Sequence, residues 1–288
     1  MAGTDKVGDI DIRGENINKV VKVWAQKKFK LKPLLMNVSS NKWKETYYKE
    51  DPTILTASGT RNVNQVGRFS EFPTVERSWT EVSAVHFKYG AEGRISYEDI
   101  LTNAINVQAR TLNGIVESIV NAIDTRIYAA LTAETSTSGT VAAVAEWDDS
   151  AASTRDPIQD ILRGIQAIDE NNYDALDGGM LLLNPHDHAS LMMNSKVINN
   201  PSYKTGDVVS NGRVGQICGL TIVKTTSVTD DEAMIIINQK SGTWMSVVGM
   251  TTAIIKDDGK KTTIRSWEIG QIQITDPKAI YTITGTEE

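Results

Sequence analysis

Between Ser96 and Thr132 apolar residues recur with the period of a helix and no proline interrupts them, which constrains the fold more than any other feature of the chain. Ile100, Leu101, Ala104, Ile105, Gln108, Leu112, Ile115, Val116, Ile119, Val120, Ile123, Ile127 and Leu131 follow one face of a 3.6-residue turn. Ser96 stands at the N-cap position with Asp99 as a weak capping box, and the next proline is Pro157. The pattern predicts a single helix from Ser96 to about residue 133. At ~1.5 Å per residue it is on the order of 55 Å long, far beyond the usual ~11 to 12 residues. A coiled coil is disfavoured, because e and g charges are absent and Thr102, Asn103, Asn106, Thr111 and Asn113 leave the polar face weakly charged.

Two strand-like arms lead into this helix, Trp43–Tyr48 and Val75–Tyr89, around a polar tip from Ser58 to Pro73. Val75, Arg77, Trp79, Glu81, Ser83, Val85, Phe87 and Tyr89 fall on one face of the second arm, mixing charge and aromatic character where a core strand would be uniformly apolar. A two-stranded ribbon buries too little to offset its ordering cost in water, so it needs another surface. No other segment is free to supply one, which points to neighbouring copies of the chain and to an assembly subunit. An edge hairpin on a single domain is the competing reading.

Charge is unevenly distributed. Residues 16 to 44 hold eight lysines and no acidic residue, so the remaining 22 basic residues face 36 acidic ones. Such an arm can reach another subunit's acidic surface, face a polyanion such as packaged nucleic acid, or be a solvated helix face. Within it Ile17, Val20, Val21 and Trp24 have helical spacing, and Lys32-Pro33 is expected to end that helix.

Beyond the long helix, residues 132 to 156 read as a loop with a small hairpin through Thr140 to Trp147. Asp156-Pro157 opens a helix that stops at Asn171-Asn172, Gly179–Asn184 is a short buried strand, and Pro185 opens another helix. Asn199 to Arg213 reads as a loop. Strands are expected at Leu220–Lys224, Met234–Asn238, Thr243–Val248 and Ala253–Lys256, with a turn at Asp257-Asp258-Gly259 and a bulge or bend at Gly270.

Catalytic chemistry is sparse among three histidines and one cysteine. His186-Asp187-His188 resembles a ligand set, but positions i and i+2 at a helix start do not face each other, and neither a cysteine nor a third histidine is near. Cys218 reads as a packed small hydrophobe and excludes an intramolecular disulfide. No phosphate-cradling glycine loop is present. Asp148-Asp149, Asp230-Asp231 and Asp257-Asp258 fall in expected turns. An enzyme on residues 156 to 285 would depend on His186 and His188; no catalytic residue, cofactor or metal is assigned. The first residues lack the charged and apolar regions of a signal peptide, and apolar runs such as Met234–Ile237 are too short to span a bilayer, so no membrane partner is expected.

Taken in order, the lysine-rich arm, ribbon, long helix, α/β unit and returning strands resemble the major capsid proteins of tailed phages, the Hong Kong 97-type fold. The resemblance rests on Trp79–Tyr89 running into the Ser96 helix, on Leu181–Leu191, on Gly215–Val223 and on Ile274–Ile280, and covers nearly the whole chain. It implies an α+β chain with an N-arm (1–40), an E-loop ribbon with flanking P-domain strands (41–95), a P-domain spine helix (96–135), an α/β A-domain (136–260) and returning strands (261–288). It further implies hexamers and pentamers of the chain itself, building an icosahedral shell around double-stranded DNA in a virion assembled in the host cytoplasm. Portal, scaffold or decoration proteins would be partners, and packaged DNA would be touched non-specifically. The expected inter-subunit contacts are Arg61, Arg68, Glu71, Arg77, Trp79, Glu81 and Phe87 of the E-loop, with Trp24, Lys27, Lys28 and Lys30 of the N-arm. An encapsulin-like bacterial compartment shell is the alternative within the same fold.

Overall fold

The computed structural model describes residues 14–50, 67–70, 79–102, 107–149, 155–198, 215–257 and 259–287. In chain order the helices are α1 (Gly14–Lys28), α2 (Tyr97–Thr102), α3 (Val107–Thr132), α4 (Pro157–Asp169), α5 (Pro185–Met193) and α6 (Ser195–Ile198). The strands are β1 (Met36–Ser39), β2 (Lys44–Glu50), β3 (Trp79–Val85), β4 (Phe87–Ser96), β5 (Gly139–Ala142), β6 (Gly179–Leu183), β7 (Gln216–Ile217), β8 (Leu220–Lys224), β9 (Glu232–Ile237), β10 (Thr243–Asp257), β11 (Lys261–Gln273) and β12 (Ile280–Thr284). They form a four-stranded sheet in the order β1-β10-β11-β4, a six-stranded sheet in the order β5-β12-β9-β6-β8-β7, and the two-stranded ribbon β2-β3.

The long apolar run forms the spine of the first core. The Ser96 hydroxyl accepts from the Asp99 N–H at 3.1 Å, as the capping pattern predicts. The expected single helix is described in two segments, α2 and α3, with residues 103–106 outside the described residues. Leu112, Ile115, Val116, Ile119, Val120, Ile123, Ile127 and Leu131 of α3 are buried, in one cluster with Ile95 of β4, Ile264 and Ile272 of β11, and Trp244 of β10. Helix α1 joins that cluster through Ile17, Val21 and Ala25, with Phe29 just beyond it. Val20, expected on this face, is exposed. The face runs through 17, 21, 25 and 29 instead, a strict i,i+4 ridge that turns position 20 outward.

The central strands β12, β9 and β6 of the six-stranded sheet are buried on both faces, which explains the unbroken apolar run of β9. Met234 and Ile236 point to the core that contains the spine, while Ala233, Ile235 and Ile237 point to a second core with Ile161, Ile165 and Ile168 of α4. Each fully buried aliphatic side chain is worth roughly 1.5 to 3 kcal/mol, so β9 anchors two cores at once. Helix α4 opens as expected, its Asp156 carboxylate accepting from the Gln159 N–H at 3.3 Å, and α5 opens on Asn184, which accepts from the His186 N–H at 3.1 Å.

Several expectations are corrected. The segment 140–147 is not a hairpin: Gly139–Ala142 is an edge strand parallel to β12, and Trp147 is fully buried in the second core. Small residues Gly, Thr, Val and Ala fit beside Tyr281, where Gly139 has no room for a side chain without contact. The two strands expected at 243–248 and 253–256 are one, β10, whose register against β11 shifts between Ser246 and Val248 and again between Val248 and Thr251. The irregularity therefore lies in β10, opposite Gly270 rather than at it. In β11 the core-facing set is Ile264, Ser266, Glu268, Gly270 and Ile272, one unbroken alternation whose polar members disguised it. Thr243–Asp257 thus belongs to the four-stranded sheet, and only β12 returns to the six-stranded one.

Candidate assembly surface

The second arm of the ribbon is not one strand. It divides at His86, with β3 pairing with β2 while β4 pairs with β11 in the body. His86 is buried, and its N–H donates to the Trp43 carbonyl at 3.1 Å, closing the ribbon where it leaves the body. A change of sheet at a single residue means that Phe87 and Tyr89 do not continue the face of Trp79, Glu81, Ser83 and Val85.

On the ribbon itself the two faces are chemically different. Glu45, Tyr47 and Lys49 of β2, opposite Ala84, Val82 and Thr80 of β3, form the inward face. Glu45 accepts from the Ser40 hydroxyl and from Gln273 Nε2 (3.2 Å), and Lys49 pairs with Glu134 just past the end of α3. Burial pushes the Tyr47 hydroxyl above its usual pKa, with the Lys49 charge opposing. These contacts fasten the root and inner face of the ribbon to its own body.

The outward face carries Lys44, Thr46 and Tyr48 opposite Val85, Ser83 and Glu81, with Trp79 paired to Glu50. Trp43 is 57% exposed, Tyr48 59% and Trp79 56%, and Val85 and Phe87 are also exposed. Tyr48 and Trp79, diagonal neighbours near the far end of the described pairing, place two open rings on this face, while Trp43 is open at the root beside His86. Phe87, at the base, lies under the Arg126 guanidinium at 5.6 Å. Arg68 is exposed in the short described turn 67–70, where Phe69 stands fully open to solvent at φ 67°. Arg61, Glu71 and Arg77 lie outside the described residues.

The lysine-rich arm is held to the spine. Asp124, buried on α3, accepts from the Lys30 N–H at 2.9 Å and from the Lys32 N–H at 3.3 Å. Burial raises its pKa against the pull of these backbone bonds and the Lys32 charge. Lys32 pairs with Glu268, which is buried on β11 and also accepts from Trp244 Nε1 at 3.3 Å. The Lys32 ammonium lies 4.6 Å from the Phe29 ring centre and 5.4 Å from that of Trp244. Of the expected arm contacts, Trp24 is half-buried against the chain's own core and Lys28 bonds Asn113 and Glu117 of α3, both at 2.7 Å. Lys27 and Lys30 are exposed.

The residues tested for catalysis are dispersed. His188 is buried, which lowers its pKa with help from Lys224, while His186 is exposed. Cys218 (φ 49°) and Gly219 (φ 84°) form the two-residue turn between β7 and β8, a type I′ geometry, and Cys218 packs against the second core. Sequence reasoning missed Glu45, Lys49, Asp124, Lys32, Glu134 and Glu268 as anchoring residues; the period-two alternation in 44–49 was a signal for Glu45 and Lys49, and the other four had none nearby.

A family described as phage capsid protein matches residues 80–283. No curated protein is significantly similar in sequence. Among solved structures, the chain resembles the virus-like particle from Pyrococcus furiosus at 13% identity and TM-score 0.64, covering 93% of this chain and 98% of that one. It also resembles Mycobacterium phage Che8 (14%, TM-score 0.63, 86% of both chains) and the capsid of Cyanophage P-SCSP1u (12%, TM-score 0.65, 90% of this chain and 88% of that one). With a family match over residues 80–283 and an overall fold shared with these structures, the chain belongs to the phage capsid protein family and has the Hong Kong 97-type fold.

Proposed function

We propose that this capsid protein assembles through hexamers and pentamers into the icosahedral shell of a tailed phage and encloses its double-stranded DNA. The observation that carries the reading is the outward face of the ribbon, where Tyr48 and Trp79 are open while the inward face is fastened to the body. Its work is geometric rather than catalytic: the ribbon lies on an adjacent subunit, and Arg61, Arg68, Glu71, Arg77, Trp79, Glu81 and Phe87 form that contact. Lys27 and Lys30 reach a further neighbour or the packaged DNA, where they act as charge without sequence readout. Portal and scaffold or decoration proteins complete the particle. No helix among the described residues is long and apolar enough to cross a membrane.

A compartment shell of the same fold, filled with a cargo enzyme, is favoured by one finding, the likeness to the Pyrococcus furiosus virus-like particle over 98% of that chain. Electron microscopy of the purified protein tests assembly, and nuclease-protected nucleic acid in particles from producing cells decides the contents. Closed shells holding protected double-stranded DNA support the phage reading. Shells holding one co-purifying enzyme favour the compartment, and a chain that stays monomeric at high concentration overturns both.

A further inference from the structure

Outside the assembly surface, one cluster of side chains comes from three separated parts of the chain. His186 lies in the first turn of α5, Asp230 in the turn before β9, and Glu287 in the segment after β12. One potential ligand atom from each lies within 4.8 Å of the others, and His186 Nδ1 is 2.5 Å from Glu287 Oε1. We propose that His186, Asp230 and Glu287 bind a divalent transition-metal ion that clips the segment 285–287 to the start of α5.

The segment is already held there by weaker bonds. The Gly285 N–H donates to the Asp231 carbonyl at 3.1 Å, the Glu287 N–H to Asp231 Oδ1 at 2.9 Å, and the Thr286 hydroxyl to Asp187 Oδ1 at 2.6 Å. The Trp147 N–H donates to the Thr286 carbonyl at 2.8 Å, so the same segment also fixes the loop after β5. Negative charge is in excess at this point. Asp187, fully buried, has an Oδ2 atom with no hydrogen-bond partner among the described residues, and so does Glu287 Oε2. A bound cation offsets this concentration of carboxylates directly.

The donor set selects the ion class. One imidazole nitrogen with carboxylate oxygens suits zinc or its first-row neighbours better than magnesium or calcium, which take oxygen alone. Around an ion at ~2.0 to 2.2 Å, tetrahedral ligand atoms stand about 3.4 Å apart. His186 and Glu287 therefore open by about 0.9 Å and the most distant pair closes by up to about 1.4 Å, within rotamer adjustment of the exposed His186 and Asp230 side chains. An exposed three-ligand site leaves the remaining position to water.

The test uses the recombinant 288-residue chain stripped with chelator and titrated with zinc chloride, following heat and the melting temperature. The expected result is one zinc per chain and a Tm rise of about 5 °C near a hundredfold excess over the dissociation constant. His186→Ala and Glu287→Gln each weaken binding about tenfold or more, Cys218→Ser leaves it unchanged, and magnesium chloride gives no shift. Absence of saturable uptake, or uptake equal in both site variants, overturns the proposal. A metal-free Tm gain in Glu287→Gln, with no zinc effect on the parent chain, does so too and shows a proton-sharing carboxylate cluster instead.

Discussion

The carboxylate of Asp124, buried in the apolar face of the spine helix, accepts the backbone N–H of Lys30 at 2.9 Å and so pins the lysine-rich arm to the centre of the subunit. An acidic residue there has no helical purpose of its own. It satisfies donors that the chain exposes as it leaves α1.

Asp124→Ala leaves those part-buried donors without their acceptor and is expected to destabilise the subunit by about 1 to 3 kcal/mol. Urea unfolding measures the loss. Limited proteolysis should show earlier cleavage within 14–31 than in the parent chain.

The pH dependence at the same site has a definite sign. Because burial raises the pKa of Asp124 above its unfolded value, the folded state binds its proton more tightly. The resulting stabilisation is complete below the unfolded pKa and is lost as pH rises through the folded one. Asp124→Asn removes this component, so its stability relative to the parent should fall less steeply as pH rises from about 4. Thermal melts across that window check the slope, and parallel curves would show that Asp124 does not titrate in the transition.

Lys32→Met strips the partner from Glu268, whose side chain is 1% exposed, and is expected to cost about 3 to 5 kcal/mol. Adding Glu268→Leu to Lys32→Met should recover most of that loss, because no buried charge remains. A double-mutant cycle in urea reads the coupling, and additive losses would place the pair outside the energetics of the arm.

Gly270→Ala places a methyl 2.6 Å from Trp244 Cζ2. The indole is fully buried and cannot yield freely, so a loss of about 1 to 3 kcal/mol is expected. A denaturant midpoint near that of the parent would mean that β10 shifts to absorb the contact.

Tyr48→Ser with Trp79→Ser removes two open rings from the outward face of the ribbon. Surface changes of this kind move stability by within about 0.5 kcal/mol, whereas particle formation should be abolished. Size-exclusion chromatography and electron microscopy separate the two effects. Normal particles from the double variant would show that the ribbon face is dispensable.

Legibility in the sequence followed the scale of the interaction. The spine was visible because its apolar residues repeat along one helix face, and the openings of α4 and α5 because Asp156 and Asn184 act within three residues. The pairing of Lys32 with Glu268 spans 236 residues, and no local pattern records it. Glu268 also explains the misplaced bulge: a charged residue on the core face of β11 looks like a change of phase until its partner is seen. The division of the ribbon at His86 was hidden for another reason, since β3 and β4 share one alternation across a residue where the partner strand changes. The proposed assembly surface was read from the sequence as one mixed face, and which side of the ribbon faces outward is decided by Glu45 and Lys49 bonding to the body.

The ribbon meets the body at two adjoining backbone points, Trp43 and His86, and seven paired residues extend beyond them. At ~3.4 Å per residue these pairs span about 24 Å, and Lys49, next to the far end of the described pairing, is tied back to Glu134 on the body. The described ribbon is therefore braced at both ends, so its outward face keeps a fixed orientation to the spine, and loss of the Lys49–Glu134 pair would free the far end while the root stayed closed at His86.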